Sequence, residues 1–586
     1  MVNTPTYEWH GEVICDIMRF RFDMPGVAES NLVLGEEIIY VEPGRLYGEI
    51  SSGGKPDYGF LTEKNRRRIK RLQIPEINSG LDTVYWYRGR EITELTADQH
   101  GCHVIWSGEG EVPLTFVTDV PSEGNYQVRI ALHAAETAEA SLFLGRRRLA
   151  WRGALSEAAD AGAMRFLEDG NWEGCFVTNI CPIIPRTFTE PMEDLTLDVT
   201  LLGRGVSLLE VEVTSWTGRT VYIAGDSTVT DQNTDYPYLP GSSYCGWGQM
   251  LTAYLGERMA VSNHAHSGLT TESFRSEGHY QILLERIKAG DICLMQFAHN
   301  DQKLMHLMAE GGYRENLIRY IEELRQKGAV PVLVTPLARN SWRGDDGTYN
   351  DLLMPYAAAC MRIAEEYHVP VLPLHRRSVD FIKACGRDRA MRYFYPSDYT
   401  HTNDYGAYLF AGFVYEGLCE YRMMEVEKTG TAGSWEPPEE VQRPTIPEGF
   451  EYMEDPEAEH LFEDLERPDD VLTRVEALQF VITTMHFFPT NVYNDMFEDV
   501  IGHETYAGVV ECAWQNGLIP ENMIEGRMFL PQQKITGGEF LQILRNGYKS
   551  RKTWTKEHER AVMEGISSEE YIRRCEAAGM CRRSSI

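Results

Sequence analysis

The sequence predicts a multidomain fold: a β-sandwich or jelly roll over residues 1–217, a parallel α/β domain over 218–427 and a small α-helical module over 468–550. Three observations predict it. Short strands in the first region alternate polar and apolar residues between Gly/Pro turns. Wholly apolar strands alternate with amphipathic helices in the second region, as in a parallel sheet. The third region has helical patterns and follows a stretch rich in Gly, Pro and Glu.

Composition limits the class of protein. The chain has 586 residues, of which 43% are hydrophobic and 25% are charged, as in ordinary globular proteins. Asp and Glu total 88 against 56 Lys and Arg, a formal charge of −32, so nucleic acids and anionic membranes are unfavourable partners. We interpret the short basic cluster at 66–71 as a solvated face. No apolar run approaches the roughly 20 residues that span a bilayer.

Two observations concern location and cofactors. The N-terminal residues lack the basic and apolar regions of a secretory signal, and 12 cysteines are scattered without a CxxC pair. Both indicate a cytoplasmic protein with reduced thiols, although a protein that has lost its signal would be extracellular. HExxH, CxxC and EF-hand motifs are absent from the sequence, so we expect no metal or other cofactor.

The strands of the sandwich are predicted from the alternation of polar and apolar residues. At 19–23, 128–132 and 209–213 every second residue is apolar, which predicts strands with one buried face. Residues 153–170 break this pattern, and we interpret them as a helical or loop-like insertion.

The pattern changes at Thr220. Apolar runs at 221–224, 292–297, 330–335 and 369–374 predict buried parallel strands. The helices predicted between them include one with Leu317, Ile318, Ile321 and Leu324 on one face, ending at Lys327-Gly328, and one over 357–367.

The C-terminal part is predicted to hold a linker over 428–467 and a charged tail over 551–586. In the helical module between them, residues 472–478 resemble residues 535–541. Two similar units are too few to indicate a solenoid.

Ser227 falls at the end of the first α/β strand, where open parallel sheets bind ligands. In a turn before a helix, this serine would expose its hydroxyl and place its N–H at a helix N-terminus, facing an oxyanion. A serine nucleophile needs a base, and the base needs an orienting partner. Asp398 and His401 supply a carboxylate and an imidazole three residues apart on a loop. Taken alone, each motif is more often an ordinary turn or surface pair.

Two further residues complete an oxyanion site in this interpretation. Asn300 follows the strand that ends at Phe297 and offers a side-chain N–H. Gly268 follows the strand that ends at Asn263, and its N–H can approach substrate with no Cβ in the way. An ordinary turn is the alternative for each of them.

Together these blocks resemble, in order, those of the SGNH (GDSL-type) hydrolases, and most closely the rhamnogalacturonan acetylesterase branch. The resemblance spans about 219–425 and rests on Gly225-Asp226-Ser227-Thr228-Val229, Gly246-Trp247-Gly248-Gln249, Asn263 to Gly268, His299-Asn300-Asp301 and Asp398 to Ala407. It implies a three-layer, flavodoxin-like α/β domain.

The resemblance also implies roles. Ser227 matches the nucleophile, and Asp398 and His401 match the rest of the catalytic triad. Gly268, Asn300 and the N–H of Ser227 match the oxyanion hole.

The sequence departs from the family pattern at two positions, because Ala298 stands in place of a glycine and Leu269 in place of an arginine. Outside the α/β domain, the N-terminal region resembles a galactose-binding-like β-sandwich, and the C-terminal module resembles an S-layer homology repeat.

The sequence therefore predicts a serine carbohydrate esterase that removes O-acetyl groups from plant cell-wall polysaccharide of the pectin or rhamnogalacturonan type through an acetyl-enzyme. Its partner is an acetylated carbohydrate, and its activity rises from weakly acidic to neutral pH as histidine loses its proton. Trp247, Tyr244 and His299 are candidate substrate contacts. Two alternatives stay open: an acetylesterase for xylan or another oligosaccharide, and a non-catalytic carbohydrate- or wall-binding protein. The oligomeric state is left open.

Overall fold

The computed structural model describes residues 7–9, 12–14, 17–23, 38–47, 56–61, 86–88, 94–105, 110–156, 163–184, 190–191, 195–236, 238–343, 348–396, 398–423, 435–439, 472–484, 497–500 and 506–551. Contacts divide the chain into two compact units. The first comprises residues 1–338, 353–380 and 402–442, and the second residues 339–352, 381–401 and 443–586. Among the described residues, no helix combines the length and the apolar character needed to cross a bilayer.

Two β-sheets form the N-terminal part of the first unit. Their strands, with two short extra pairs, are β1 (Tyr7–Trp9), β2 (Glu12–Ile14), β3 (Ile17–Arg21), β4 (Ile38–Tyr40), β5 (Tyr58–Phe60), β6 (Trp86–Arg88), β7 (Glu94–Asp98), β8 (Gly101–Ile105), β9 (Leu114–Asp119), β10 (Gly124–Ala134), β11 (Glu139–Leu144), β12 (Arg148–Ala154), β13 (Met164–Phe166), β14 (Asn171–Ile180), β15 (Thr196–Leu202) and β16 (Val206–Ser215). One sheet has the order β13-β14-β10-β16-β3-β4, with β8 on β16 and β7 on β8, and the other has the order β12-β11-β15-β9-β5.

Strand β10 shows why these sheets pack together. Buried and half-buried side chains alternate along it, and Ile130 is fully buried. On the other face, Arg129 forms ion pairs with Glu173 of β14 at 3.0 Å and with Glu212 of β16 at 2.6 Å. The buried faces of the two sheets share one apolar core, which includes Phe20, Phe116, Val128, Leu142, Trp172, Val199 and Val211.

The strands predicted at 19–23, 128–132 and 209–213 are confirmed, because they fall in β3, β10 and β16. The interpretation of 153–170 as a helical or loop-like insertion is wrong where the segment forms the end of β12 and the whole of β13, whereas 155–156 are helical and 167–170 lie outside strands. The jelly-roll connectivity stays a prediction.

The rest of the first unit is built around a five-stranded parallel sheet. Its strands are β17 (Thr220–Gly225), β19 (Ala260–Asn263), β20 (Ile292–Gln296), β21 (Val330–Val334) and β24 (Val371–Leu372), in the order β19-β17-β20-β21-β24. The short strand β18 (Thr234–Tyr236) pairs with β6. The helices are α1 (Trp247–Leu255), α2 (Ser273–Ser276), α3 (His279–Arg286), α4 (Gly312–Gln326), α5 (Met354–Tyr367), α6 (Leu374–Cys385), which continues into the second unit, and α8 (Asp404–Glu420).

The predicted buried strands and helices of this region are confirmed. Every residue of β17, β19 and β20 is buried, because side chains on both faces of the sheet lie against other elements. Leu317, Ile321 and Leu324 form the buried face of α4. The chain leaves this helix through Gly328, whose φ of 75° suits glycine.

The described part of the second unit contains a hairpin and several helices. These are β22 (Trp342–Arg343), β23 (Thr348–Tyr349), α7 (Arg387–Ala390), α9 (Arg474–Thr484), α10 (Ala507–Gln515) and α11 (Gly537–Arg551). Residues of α9, α10 and α11 share an apolar core with Phe497, Leu518 and Phe529. The likeness of this module to an S-layer homology repeat stays a prediction.

The two similar segments of the C-terminal module, 472–478 and 535–541, each contain the start of a helix. The N–H of Thr473 donates to Glu476 at 2.6 Å before α9, and the N–H of Thr536 donates to Glu539 at 2.8 Å before α11. Each pair is the return bond of a capping box. Arg474 joins the two starts through a buried ion pair with Glu539 at 2.8 Å.

Three predicted features lie outside the described residues: the basic cluster at 66–71, the linker at 428–467 apart from 435–439, and the charged tail beyond residue 551.

Candidate active site

The loop that bears Ser227 begins where β17 ends. Gly225 is required there, because a Cβ would lie 2.7 Å from the backbone oxygen of Gln296 in the neighbouring strand. The oxygen of Asp226 then accepts hydrogen bonds from the N–H groups of Val229 and Thr230 at 3.1 and 3.2 Å. This closes a tight turn that leaves Ser227 half-buried.

The expectation that Ser227 stands at a helix N-terminus is wrong. The residues that follow it form turns, and the next helix, α1, begins only at Trp247. An oxyanion donor at Ser227 would therefore act through its own N–H, without the dipole of a helix.

Asp226 and His299 form a buried pair behind the Ser227 loop. Nδ1 of His299 lies 3.2 Å from Asp226, and its Nε2 lies 3.0 Å from the carbonyl oxygen of Leu337, so both ring nitrogens face acceptors. Burial alone would raise the pKa of Asp226, but the charge and hydrogen bond of His299 and the bonds from Thr228 hold it below its usual range. Since His299 is 1% exposed, the expectation that it contacts substrate is wrong.

Gly268 and Asn300 follow the two strands that flank β17. Because these strands are parallel, their carboxyl ends lie at one edge of the sheet together with the Ser227 loop. Gly268 is exposed at φ 83°, a conformation that favours glycine, and the space where a Cβ would stand is open. The amide of Asn300 donates to the oxygen of Leu269 at 3.0 Å, which ties the two loops together.

Asp301 makes a second link between these loops. Its carboxylate accepts from the N–H of Thr271 at 2.9 Å and from the Thr271 hydroxyl at 2.6 Å. Burial raises the pKa of Asp301 to about 6, in spite of these bonds.

Ala298 is strained. Its φ is 126°, a region that residues with a side chain rarely occupy, and it is completely buried. This is the position at which the family pattern has glycine. The backbone therefore keeps the conformation that glycine would adopt, although the residue has changed.

Asp398 and His401 lie in the second unit, in a loop that is closed by bonds between Tyr395 and both of them at 2.9 Å. One oxygen of Asp398 accepts from the N–H groups of Thr400 and His401 at 2.8 and 2.9 Å, and the other lies 2.7 Å from Nδ1 of His401. Burial would raise the pKa of Asp398, but the charge and hydrogen bonds of His401 lower it below its usual range.

This geometry selects one form of the imidazole. An ionised Asp398 accepts the proton on Nδ1 of His401, so the neutral ring keeps Nε2 as its proton acceptor. The ring is 22% exposed. Tyr399, between the two residues, is buried beside Arg387 and Glu511, and burial raises its pKa to about 12.

The predicted site residues thus fall into two groups. The first unit brings the loops of Ser227, Gly268 and Asn300 to one edge of the parallel sheet, and the second unit pairs Asp398 with His401.

Sequence reasoning missed a buried arginine from the sandwich. Arg147, in the turn between β11 and β12, is fully buried and forms an ion pair with Asp404 at 2.7 Å. It also donates to the backbone oxygens of Gln232, at 3.0 Å, and Tyr244. Burial disfavours the charge, but Asp404 raises the pKa of Arg147, so it stays charged. Gln232 in turn donates to the backbone oxygen of Ser227 at 3.0 Å, which connects the arginine to the Ser227 loop.

Arg148 repeats this arrangement one residue on. It pairs with Asp231 at 2.9 Å and donates to the oxygens of Asn179 and Val261 at 3.1 and 2.7 Å. The available signal was the placement of three arginines between two apolar runs, 142–144 and 149–151, because charges inside an apolar stretch need buried partners.

The expectation that Trp247 contacts a sugar is wrong. Its side chain is completely buried, and its indole N–H donates to Gln296 at 2.9 Å, so it belongs to the core. Tyr244 is partly exposed, and its role in substrate contact stays a prediction.

The α/β domain is similar to known proteins. Residues 223–409 match the GDSL-like lipase/acylhydrolase family. Rhamnogalacturonan acetylesterase RhgT of Bacillus subtilis is 34% identical over 213 residues, which cover 34% of this chain and 89% of that protein. The chain belongs to this family. It is therefore a carboxylic ester hydrolase, and the matched residues include the Ser227, Gly268, Asn300, Asp398 and His401 positions.

Further relatives of this GDSL-like hydrolase come from the same organism. The probable rhamnogalacturonan acetylesterase YesY of Bacillus subtilis is 32% identical over 208 residues, covering 34% of this chain and 92% of that protein. The crystal structure of YxiM from Bacillus subtilis is 23% identical, and the match covers 70% of this chain and 99% of that chain with a TM-score of 0.35.

Proposed function

We propose that this hydrolase removes O-acetyl groups from plant cell-wall carbohydrate, with Ser227, Asp398 and His401 as its catalytic triad. The observation that carries the proposal is the Asp398–His401 pair, whose 2.7 Å contact to Nδ1 leaves Nε2 as the base. A serine esterase requires such a base.

The reaction proceeds in two halves. Nε2 of His401 takes the Ser227 proton while Oγ attacks the acetyl carbonyl carbon. The bond to the sugar oxygen then breaks, and the imidazolium returns its proton to the leaving hydroxyl. Water attacks the acetyl-enzyme with the same base, releasing acetate and restoring Ser227. Asp398 stabilises the imidazolium in both halves.

Three donors stabilise the tetrahedral oxyanion in this proposal: the N–H groups of Ser227 and Gly268 and the side-chain amide of Asn300. The open space beside Gly268 supports its part, because a carbonyl oxygen can approach that N–H. Asn300 has two amide N–H groups, and its bond to Leu269 fixes the orientation of the amide.

Pectic polysaccharide of the rhamnogalacturonan type is the proposed substrate. Two relatives named as rhamnogalacturonan acetylesterases support it, at 34% and 32% identity over most of their lengths.

Acetate release tests the proposal. Wild-type enzyme is expected to release acetate from acetylated rhamnogalacturonan and to hydrolyse 4-nitrophenyl acetate. Ser227→Ala should lower kcat on both by at least about 10³-fold, whereas Ser276→Ala, at an exposed serine of α2, should leave kcat within about twofold. Full turnover by Ser227→Ala would refute the mechanism, and activity on long-chain esters alone would refute the carbohydrate substrate.

A further inference from the structure

A small cleft that opens to solvent lies beside the Ser227 loop. The sandwich contributes Arg146, Ile183 and Ile184 to its lining, and the α/β domain contributes residues 230–233 and 263–267 with part of α3. Of these segments, 230–233 begins three residues after Ser227, and 263–267 ends one residue before Gly268. The cleft is therefore built by both parts of the first unit, next to the proposed reaction centre.

One contact joins the cleft directly to the nucleophile. Gln232 lines the cleft, and its amide donates to the backbone oxygen of Ser227 at 3.0 Å. On the other side, the N–H of His266 donates to the oxygen of Gly225 at 3.2 Å. A sugar residue bound in the cleft would therefore lie close, along the same glycan, to the residue whose acetyl ester is at Ser227.

The sandwich places a guanidinium in this cleft. Arg146 donates through Nη2 to the oxygen of Cys181 at 2.7 Å, and its Nη1 lies 3.4 Å from the oxygen of Asn263. These two carbonyls, one from the sandwich and one from the α/β domain, hold the side chain in position. A guanidinium has five N–H donors in a planar fork that matches a carboxylate.

Arg146 is the arginine of this lining, in a chain that as a whole has a formal charge of −32. Asp231 also lines the cleft, but Arg148 offsets this carboxylate at 2.9 Å, and Asn263 donates to it at 2.8 Å. Burial, together with the nearby arginines, holds the pKa of His264 well below its usual range. Burial, with His266 beside it, lowers the pKa of His279 to about 3.

The remaining lining suits a sugar ring. Ile183 is a half-buried apolar side chain against which C–H groups can pack, and Gln232, Asn233 and Ser267 offer hydrogen-bonding groups for hydroxyls.

We infer that this cleft is a subsite for an acidic sugar, in which Arg146 of the sandwich binds the carboxylate of a uronate residue next to the acetylated one. The inference rests on the proposed function and deepens it. It assigns to the sandwich a part in substrate selection, and it names Arg146 as the residue that distinguishes acidic from neutral glycans.

Selectivity tests the inference. Acetate release would be measured with acetylated oligogalacturonate and with acetylated xylo-oligosaccharide, for the wild type and for Arg146→Gln. We expect Arg146→Gln to lower the ratio of kcat/KM for the acidic over the neutral substrate at least about tenfold, mainly through KM. Arg146→Lys, which keeps the charge, should lower this ratio by less than about threefold. Arg165→Gln, at an exposed arginine of the sandwich, should leave it unchanged.

Binding gives a readout apart from turnover. With Ser227→Ala as the background, titration calorimetry should detect trigalacturonic acid more tightly than xylotriose, and the added Arg146→Gln substitution should weaken only the acidic ligand. Equal binding of both trisaccharides, or an unchanged selectivity ratio in Arg146→Gln with an unaltered melting temperature, would overturn the subsite. A wild-type enzyme that cleaves 4-nitrophenyl acetate but no acetylated glycan would instead refute the proposed function.

Discussion

Strands β10 and β17 lie in the same compact unit but differ in how many of their side chains are buried. β10 buries every second side chain and uses its other face for the ion pairs of Arg129. β17 buries all six residues, because both faces of its sheet are covered. Polar groups can therefore stand along the whole of β10, whereas β17 can offer them only at its end. The proposed nucleophile, Ser227, accordingly lies just beyond Gly225.

The turn between β11 and β12 joins these two kinds of structure. The side chains of Arg147 and of Arg148, the first residue of β12, extend from the sandwich to the α/β domain, where Asp404 and Asp231 neutralise them. A buried ion pair contributes little stability compared with an apolar contact, but removing one partner is costly. The two buried ion pairs thus favour one packing of the sandwich against the parallel sheet over other packings.

The largest effect on stability is expected when this connection is broken. Arg147→Met should lower the free energy of unfolding by about 3–5 kcal/mol, because Asp404 would stay buried without its cation. Arg165→Met, at an arginine that is 74% exposed on the sandwich, should change it by less than about 0.5 kcal/mol. Urea unfolding measures both, and equal effects would show that Arg147 is not a structural connection.

The next largest effect is a loss of kcat, expected when a side chain at the carboxyl edge of the parallel sheet is removed. Asn300→Ala should lower kcat by about 10²–10³-fold, the usual result of losing one oxyanion donor. Asn171→Ala, at the start of β14 in the sandwich, should leave kcat unchanged. Steady-state kinetics on 4-nitrophenyl acetate compares them. An Asn300→Ala enzyme with normal kcat would remove this residue from the oxyanion hole.

One matched pair of substitutions tests the comparison of the two strands directly. Ala224→Ser in β17 places a hydroxyl in a fully buried position and should cost about 1–3 kcal/mol of unfolding free energy. Ala131→Ser, on the half-buried face of β10, should cost less than about 0.5 kcal/mol. Similar costs at both positions would mean that the two strands do not differ in burial as described.

The smallest effect is a gain in stability. Ala298→Gly should relieve the strain at φ 126°, which costs about 1–3 kcal/mol at such positions. The greater freedom of glycine in the unfolded chain offsets about 0.5–1 kcal/mol of this gain. Ala358→Gly within α5 should instead destabilise by about 1 kcal/mol. Calorimetric melting would distinguish them, and a lower melting temperature for Ala298→Gly would contradict the strain.

Features that depend on neighbours in the sequence were predictable. Alternation in β10 and the apolar run of β17 follow from which faces are covered, and the side chains of the buried face of α4 recur at helical spacing. Asp398 and His401 were predictable as a pair for the same reason, since residues three apart on a turn can face one another and share its backbone N–H groups.

Features that depend on distant contacts were not predictable. Arg147 meets Asp404, 257 residues away, and no local pattern identifies that partner. Trp247 was assigned to a sugar because aromatic rings serve both cores and binding sites, and only the fold shows that Gln296 holds its indole. The helix expected after Ser227 is absent from the described residues there because the chain first makes turns and pairs β18 with β6.

The central claim is that the Ser227 hydroxyl is the nucleophile, activated by His401. A 4-nitrophenyl phosphonate ester forms a stable bond with an activated serine, and peptide mass spectrometry locates the adduct. We expect one adduct, on Ser227, which is lost in Ser227→Ala and forms at least about 10²-fold more slowly in His401→Ala. An adduct on a different residue, or labelling of Ser227 at full rate without His401, would contradict it.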